Sequence, residues 1–135
     1  MEPIDFYVLP SDSDVAWLTF VCKLTEKIYR MQKPCFIWVD DFDLAEQLDE
    51  KLWTFRADSF VPHGIEEVYL PVCIGSGLPP PDQFAVLINL TRTPSDVLFA
   101  RQVEILDQHP ERLSAAREKY RFYQQVQRQL KTHKL

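Results

Sequence analysis

Apolar and polar residues alternate along this chain in a way that predicts strands and helices in regular succession. Short apolar runs at residues 4–9 and 35–39 predict buried strands. Each run is followed by a segment with apolar residues every three or four positions, at residues 15–30 and 44–53, which predicts an amphipathic helix. This order is typical of a three-layer α/β domain with a mainly parallel central sheet.

The second half of the chain continues the pattern less regularly. We predict strands at residues 68–72, at 84–90 and around 102–106, and a Gly/Pro-rich loop at 75–81. A last helix is expected to start near Pro110, because proline is favoured in the first turn of a helix. The expected apolar face of this helix comprises Leu113, Ala116, Tyr120, Tyr123 and Leu130.

Composition bounds the class of protein. With 135 residues, of which 46% are hydrophobic, we expect a single domain over residues 1–135. No apolar run approaches the roughly 20 residues of a membrane helix, and the start lacks the basic region of a secretory signal. Cys22, Cys35 and Cys73 are odd in number and lie in apolar segments, which is typical of a reducing compartment such as the cytoplasm. No cysteine or histidine spacing predicts a metal site.

Charge is distributed unevenly. Residues 1–110 carry a balance of −10, whereas residues 111–135 carry +5. The acidic body argues against a long nucleic-acid track, which needs many contacts that neutralise phosphates. A small basic end suits a short acidic partner better.

An α/β fold raises the question of nucleotide binding. The glycine-rich phosphate loops require glycines after the first strand, but the only glycines are at positions 64, 75 and 77. The first strand is instead followed by a turn with a proline and two aspartates, at residues 9–14, which would repel phosphate. We therefore expect no nucleotide and no other cofactor.

Catalysis is not indicated either. Cys22 and Cys35 fall in predicted buried elements, and Cys73 ends a strand, so structural roles are favoured for all three. His63 follows an apolar run, and its ring is expected to bond a backbone carbonyl and fix the loop rather than act as a general base. We expect a protein that is not an enzyme.

Two stretches stand out as candidate interaction sites. The run Phe60-Val61-Pro62, with Trp53 upstream, is either core or a hydrophobic patch for a partner. In the last helix, Arg117 and Tyr120 are three residues apart and share a face. An arginine beside an aromatic ring can hold the carboxylate of an acidic, apolar-tipped peptide. Alternatively, Tyr120 is core and the arginine is only solvated.

Three motifs in order, LDEKLW at 48–53, SFVPH at 59–63 and REKYRFY at 117–123, resemble the chi subunit of bacterial DNA polymerase III holoenzyme. The resemblance runs over nearly the whole chain. It implies a Rossmann-like domain without a nucleotide site. It also implies a non-catalytic subunit that connects the clamp loader, through the psi subunit, to the acidic C-terminal tail of single-stranded DNA-binding protein.

Site residues follow from the resemblance by position. It implies that Arg117 and Tyr120 are central to the tail site, with Leu106 on its wall, and we add Arg112 and Arg121 as neighbouring basic residues. Where many family members carry a lysine four residues before the arginine, this chain has Leu113, and the family's glycine after the last motif is Gln127. The psi interface is implied at residues Trp53, Phe60, Val61, Pro62 and His63.

Two other classes of function stay open. One is a degenerate α/β hydrolase or transferase that uses His63 or Cys73. The other is direct binding of single-stranded DNA, with Tyr120 and Tyr123 as stacking platforms among the arginines and lysines of the last helix. The acidic body disfavours strong binding of nucleic acid, and no membrane contact is expected.

Overall fold

The computed structural model describes residues 3–135, and its seven strands form one sheet in which every neighbouring pair is parallel. The strand order is β3-β4-β2-β5-β6-β1-β7. The strands are β1 (Ile4–Val8), β2 (Cys35–Trp38), β3 (His63–Ile65), β4 (Val72–Gly75), β5 (Val86–Asn89), β6 (Arg101–Leu106) and β7 (Leu130–Lys134). The helices are α1 (Asp14–Arg30), α2 (Phe42–Thr54) and α3 (Pro110–Gln125). The predicted Rossmann-like α/β class with a parallel sheet is confirmed.

Helices α1 and α2 cover one face of the sheet, and α3 covers part of the other. Alternate strand residues point to opposite faces, so Ile37 packs with α1 and α2, whereas its neighbour Phe36 packs with Phe84 and Phe99. Beneath α3, Ile4 and Phe6 of β1 form a second small core with Ala116 and Tyr123. The central strands β2, β4 and β5 are buried on both faces, which explains their continuous apolar sequence.

Side-chain caps start the three helices where the sequence places polar residues. Ser13 accepts a hydrogen bond from the backbone of Ala16 at the start of α1, and Asp41 does the same for Leu44 at the start of α2. His109 caps α3, and Pro110 occupies its first turn, as predicted.

The edges of the sheet differ from the sequence predictions. The strand predicted at residues 68–72 is wrong, because Glu66 has a left-handed φ of 58° and residues 67–71 turn before β4 begins at Val72. Strand β3 lies within the stretch expected to be a loop. Leu130 was predicted on the apolar face of α3 but belongs to β7, since Gln127 has a φ of 62° and ends the helical path.

No helix in the described part of the chain combines the length and the apolar character needed to cross a bilayer.

Candidate functional site

Helix α3 presents two different flanks on either side of its buried stripe. Ala116 and Tyr123 point into the sheet. Lys119, on one flank, reaches the backbone of Thr91 beyond β5. At 100° per residue, Leu113, Arg117 and Tyr120 lie on the opposite flank, which therefore faces β1 and the edge strand β7. We call this second flank, with the exposed Arg121, the basic flank.

The structure brings Arg117, Tyr120 and Leu106 to one place. Tyr120 packs edge-on against Phe6, with ring centres 5.2 Å apart, and joins the same apolar cluster as Leu106. Arg117 is exposed beside this cluster, and no acidic side chain of residues 3–135 pairs with it. Arg121 is likewise exposed, one turn further along. Tyr120 therefore forms part of a half-buried apolar surface, and Arg117 next to it is a cation that is free to bind an anion.

Arg112 is not part of this arrangement. Its guanidinium donates two hydrogen bonds of 2.8 Å to Asp107 and one of 2.8 Å to Asp14, and it stacks over Trp17. Burial opposes its charge, but the bonds to Asp107 and Asp14 outweigh burial and raise the pKa of Arg112. The bond from Arg112 in turn lowers the pKa of Asp14. Arg112 therefore fastens α3 to α1 and to the end of β6.

A buried ionic network beneath α3 was not foreseen from the sequence. Lys119 Nζ lies 2.6 Å from Glu104 Oε1 and donates to the carbonyl of Thr91 at 2.7 Å. Tyr123 donates to the other oxygen of Glu104 at 2.7 Å and accepts from Gln102. Burial, followed by the charge of Glu104, raises the pKa of Tyr123 well above its ordinary value. Lys119 is three residues after Ala116 and four before Tyr123, which is the spacing that could have placed it on the buried face.

The carboxyl ends of the strands hold a groove of about 310 Å³, where α/β proteins commonly bind ligands. Its lining carries three cations, each already paired with a carboxylate of the chain, against five carboxylates: Arg92, Arg112 and Lys119 against Asp14, Asp40, Asp41, Glu104 and Glu111. This predominantly acidic mouth does not fit a phosphate group, in keeping with the aspartates noted after the first strand.

A second surface is formed by Trp53 at the end of α2 and Phe60 in the following loop. Trp53 is 49% exposed and Phe60 66% exposed, with ring centres 5.6 Å apart. We call this pair the aromatic patch. Pro62 is partly exposed next to it, whereas Val61 is buried. The sequence left open whether this run is core or a surface patch. Each alternative holds for part of it, because Val61 fills the core and Phe60 remains on the surface.

Buried polar contacts hold the loop that carries Phe60. The ring of His63 lies against Trp53 at 4.6 Å, and its two nitrogens lie 2.6 Å from the carbonyl of Val61 and 2.9 Å from that of Asp49. Glu26 of α1, itself buried, accepts from Ser59 and pairs with Arg56 at 3.0 Å. As expected, His63 fixes the loop through a backbone carbonyl, and the patch is thereby held on a rigid base.

The two surfaces lie at opposite ends of the sheet. The aromatic patch borders α2 and β3, and the basic flank overhangs β1 and β7. Six strand spacings of about 4.8 Å separate β3 from β7, which places the edges roughly 29 Å apart. The two surfaces therefore share no residue and lie near opposite edges of the sheet.

The groups considered for catalysis are poorly placed for it. Burial raises the pKa of Cys22 and Cys35 to about 12 and that of Cys73 to about 11, so these thiols are poor nucleophiles. Both nitrogens of His63 face carbonyl oxygens. Within residues 3–135, no cluster of side chains has the composition of a metal site. Tyr123, one of the two stacking platforms in the alternative hypothesis of DNA binding, is fully buried.

Fold and surfaces together define a Rossmann-like α/β domain that lacks a phosphate loop and exposes a basic flank and an aromatic patch at opposite sheet edges. The sequence model of the family described as DNA polymerase III chi subunit, HolC, matches residues 1–131. The chain belongs to this family, and its role is in DNA replication as part of the polymerase III assembly.

Similar proteins agree with this assignment. The chain is 37% identical over 139 residues to the DNA polymerase III subunit chi of Pseudomonas aeruginosa, and the match covers 100% of this chain and 98% of the relative. It is 36% identical over 69 residues to the same subunit of Escherichia coli, which covers 48% of this chain and 47% of the relative. A probable chi subunit of Rickettsia prowazekii is 28% identical over 96 residues, covering 68% of this chain and 57% of the relative.

Proposed function

We propose that this chain is a non-catalytic linker between two replication proteins. Its basic flank holds the acidic C-terminal tail of single-stranded DNA-binding protein, and its aromatic patch docks the psi subunit of the clamp loader. The observation that carries the proposal is the exposed Arg117 without an acidic partner in residues 3–135, directly beside the apolar wall of Tyr120 and Leu106.

The chemistry of the basic flank matches the end of an acidic peptide. Arginine forms forked hydrogen bonds to a carboxylate, and the aromatic and aliphatic wall next to Arg117 suits an apolar last side chain. Arg121 adds positive charge one turn away, which favours the acidic residues upstream. Leu113 stands where many family members carry a lysine, so this chain relies on Arg117 for the direct ionic contact.

The aromatic patch matches the centre of a protein interface. Large aromatic side chains at a rigid, exposed position are the residues that most often dominate binding energy. Trp53 and Phe60 satisfy this description, and the ring of His63 packs against Trp53. The neighbouring Val61 is buried and Pro62 is partly exposed. The approximate 29 Å between the edges allows psi and the tail to be held at once.

Titration calorimetry with a short acidic peptide that ends in Asp-Phe with a free carboxylate tests the tail site. Arg117→Ala removes charge-assisted hydrogen bonds worth about 1.5–3 kcal/mol, which corresponds to about 10- to 150-fold weaker binding. Arg92→Ala is the matched control, because Arg92 is an exposed arginine that lies beside the acidic groove. An amidated peptide should lose affinity to a similar extent. Equal affinities of the Arg117 and Arg92 variants would refute the assignment.

Pull-down and titration with psi test the aromatic patch. Phe60→Ala should weaken psi binding by about 2 kcal/mol or more, as expected for a central interface residue. Phe42→Ala is the control, because Phe42 is 63% exposed, close to the 66% of Phe60, but lies at the start of α2. Psi binding that falls equally in both variants would contradict a specific patch.

A further inference from the structure

No strand within residues 3–135 pairs with the outer edge of β7, so this edge is open to a further strand. β7 pairs with β1 on one side and is the last strand in the sheet order. Its residues are exposed or partly exposed. An uncovered edge strand presents backbone donors and acceptors that can pair with another extended chain.

The hydrogen-bond pattern shows which backbone groups are available. Ile4 N donates to the carbonyl of Gln129 at 2.9 Å, and Leu135 N donates to the carbonyl of Val8 at 3.0 Å. The backbone N–H and C=O groups of the odd-numbered residues between 129 and 135 therefore point towards β1. Since the direction alternates along a strand, the N–H and C=O groups of Leu130, Thr132 and Lys134 point away from the sheet.

Charge decides what kind of chain fits this edge. Lys131 and Lys134 lie on β7 itself, and Arg117 and Arg121 are exposed on the basic flank of α3, whose Tyr120 shares an apolar cluster with Leu130 of β7. A second copy of this chain would bring lysines against lysines, which opposes pairing of two β7 edges. The other edge strand, β3, suits an acidic chain less well, because it has only three residues and is followed by Glu66 and Glu67.

The edge is also continuous with the basic flank. Leu130 of β7 packs against the same apolar cluster as Tyr120 and Leu106. An extended peptide of about nine residues spans roughly 30 Å, which is enough to place its carboxylate at Arg117 and its preceding residues beside β7. One ligand can therefore use both features.

We propose that the acidic segment of the peptide adds to the free edge of β7 as an eighth strand, through the outward backbone groups of Leu130, Thr132 and Lys134. This inference rests on the proposed function, since the same peptide binds Arg117 with its end. The lysines of β7 attract the acidic side chains, and the backbone pairing fixes the direction in which the peptide leaves the site.

Amide hydrogen exchange measured by NMR tests the pairing. With a saturating acidic peptide of about nine residues ending in Asp-Phe, the amides of Leu130, Thr132 and Lys134 should exchange at least about tenfold more slowly. The amides of Lys131 and His133 serve as internal controls, because they already face β1 and should change less.

Thr132→Pro and Thr132→Val form a matched pair for affinity. Proline removes the outward N–H at an edge where it is tolerated, whereas valine keeps the N–H and the branched shape. The proline variant should bind the peptide about fivefold more weakly than the valine variant, which should resemble the original chain.

The possible results distinguish failure of the added strand from failure of the proposed tail site. Peptide binding that depends on Arg117 but leaves the β7 amides unprotected would overturn the added strand and leave the tail site intact. Peptide binding absent from the original chain would overturn both. Amide protection that appears without peptide and grows with protein concentration would assign the edge to a second copy and would also overturn the inference.

Discussion

Lys119→Met tests whether the buried ion pair beneath α3 holds the helix that carries Arg117. Lys119 has a side chain only 7% exposed and Glu104 one only 1% exposed, and their charged atoms are 2.6 Å apart. Methionine has a similar length but no charge, so the substitution leaves the carboxylate of Glu104 buried without its cation. Removing one partner of such a pair costs about 3–5 kcal/mol.

That loss would be a large part of the stability of a typical domain, which is about 5–15 kcal/mol. Urea unfolding followed by tryptophan fluorescence and circular dichroism measures it. With a urea dependence of about 1–3 kcal/mol per M, the midpoint should fall by about 1 M or more. Lys23→Met is the matched control, because Lys23 is an exposed lysine of α1 and should change stability by no more than about 0.5 kcal/mol.

The double variant Lys119→Met with Glu104→Gln completes the test. Neutralising Glu104 removes the stranded charge, so the double variant should recover part of the stability lost in Lys119→Met. The remaining bonds from Tyr123 and Asn89 to residue 104 can persist with the amide. A Lys119→Met variant as stable as Lys23→Met, or a double variant no better than the single one, would refute the reasoning.

Three further predictions concern stability and the thiols. Gln127→Gly should raise the free energy of unfolding by about 1 kcal/mol, because Gln127 has a φ of 62° after α3 and glycine adopts this conformation without strain; urea unfolding that shows a loss would contradict this. Cys22, Cys35 and Cys73 should react with a thiol reagent at neutral pH only after unfolding; fast reaction of the native protein would disprove this. Because their folded-state pKa values of about 12, 12 and 11 exceed the ordinary 9.0, the free energy of unfolding should fall as pH rises above about 9, which urea titrations between pH 8 and 11 can measure.

The central elements could be predicted from the sequence because buried positions require apolar residues, which recur with the period of the strand or helix. Strands β1, β2 and β5 lie within the predicted runs, and all three helices begin close to where the apolar periodicity and Pro110 indicate, although α3 ends at Gln125, before the predicted Leu130. The edge strands β3 and β7 could not be predicted this way, since an edge strand needs no continuous apolar run. β7 in particular reads as polar, and only its pairing with β1 makes it a strand.

The candidate sites were predictable to the extent that helical spacing determines them. The spacing of Arg117 and Tyr120 correctly gave neighbouring positions on one face. The roles of Arg112 and Lys119 depend on partners distant in sequence, Asp107 with Asp14 and Glu104 respectively, which no local pattern reveals. The split between buried Val61 and exposed Phe60 likewise arises from the packing of the loop on the core.

Simultaneous binding of psi and the acidic peptide tests the linker account most directly. A labelled peptide titrated into the preformed complex of this chain with psi should bind with the same affinity as it binds the chain alone, because the two surfaces lie near opposite sheet edges that are about 29 Å apart. Arg117→Ala should remove only the peptide and Phe60→Ala only psi. Mutual exclusion of the two ligands, or loss of both from either folded variant, would contradict the account.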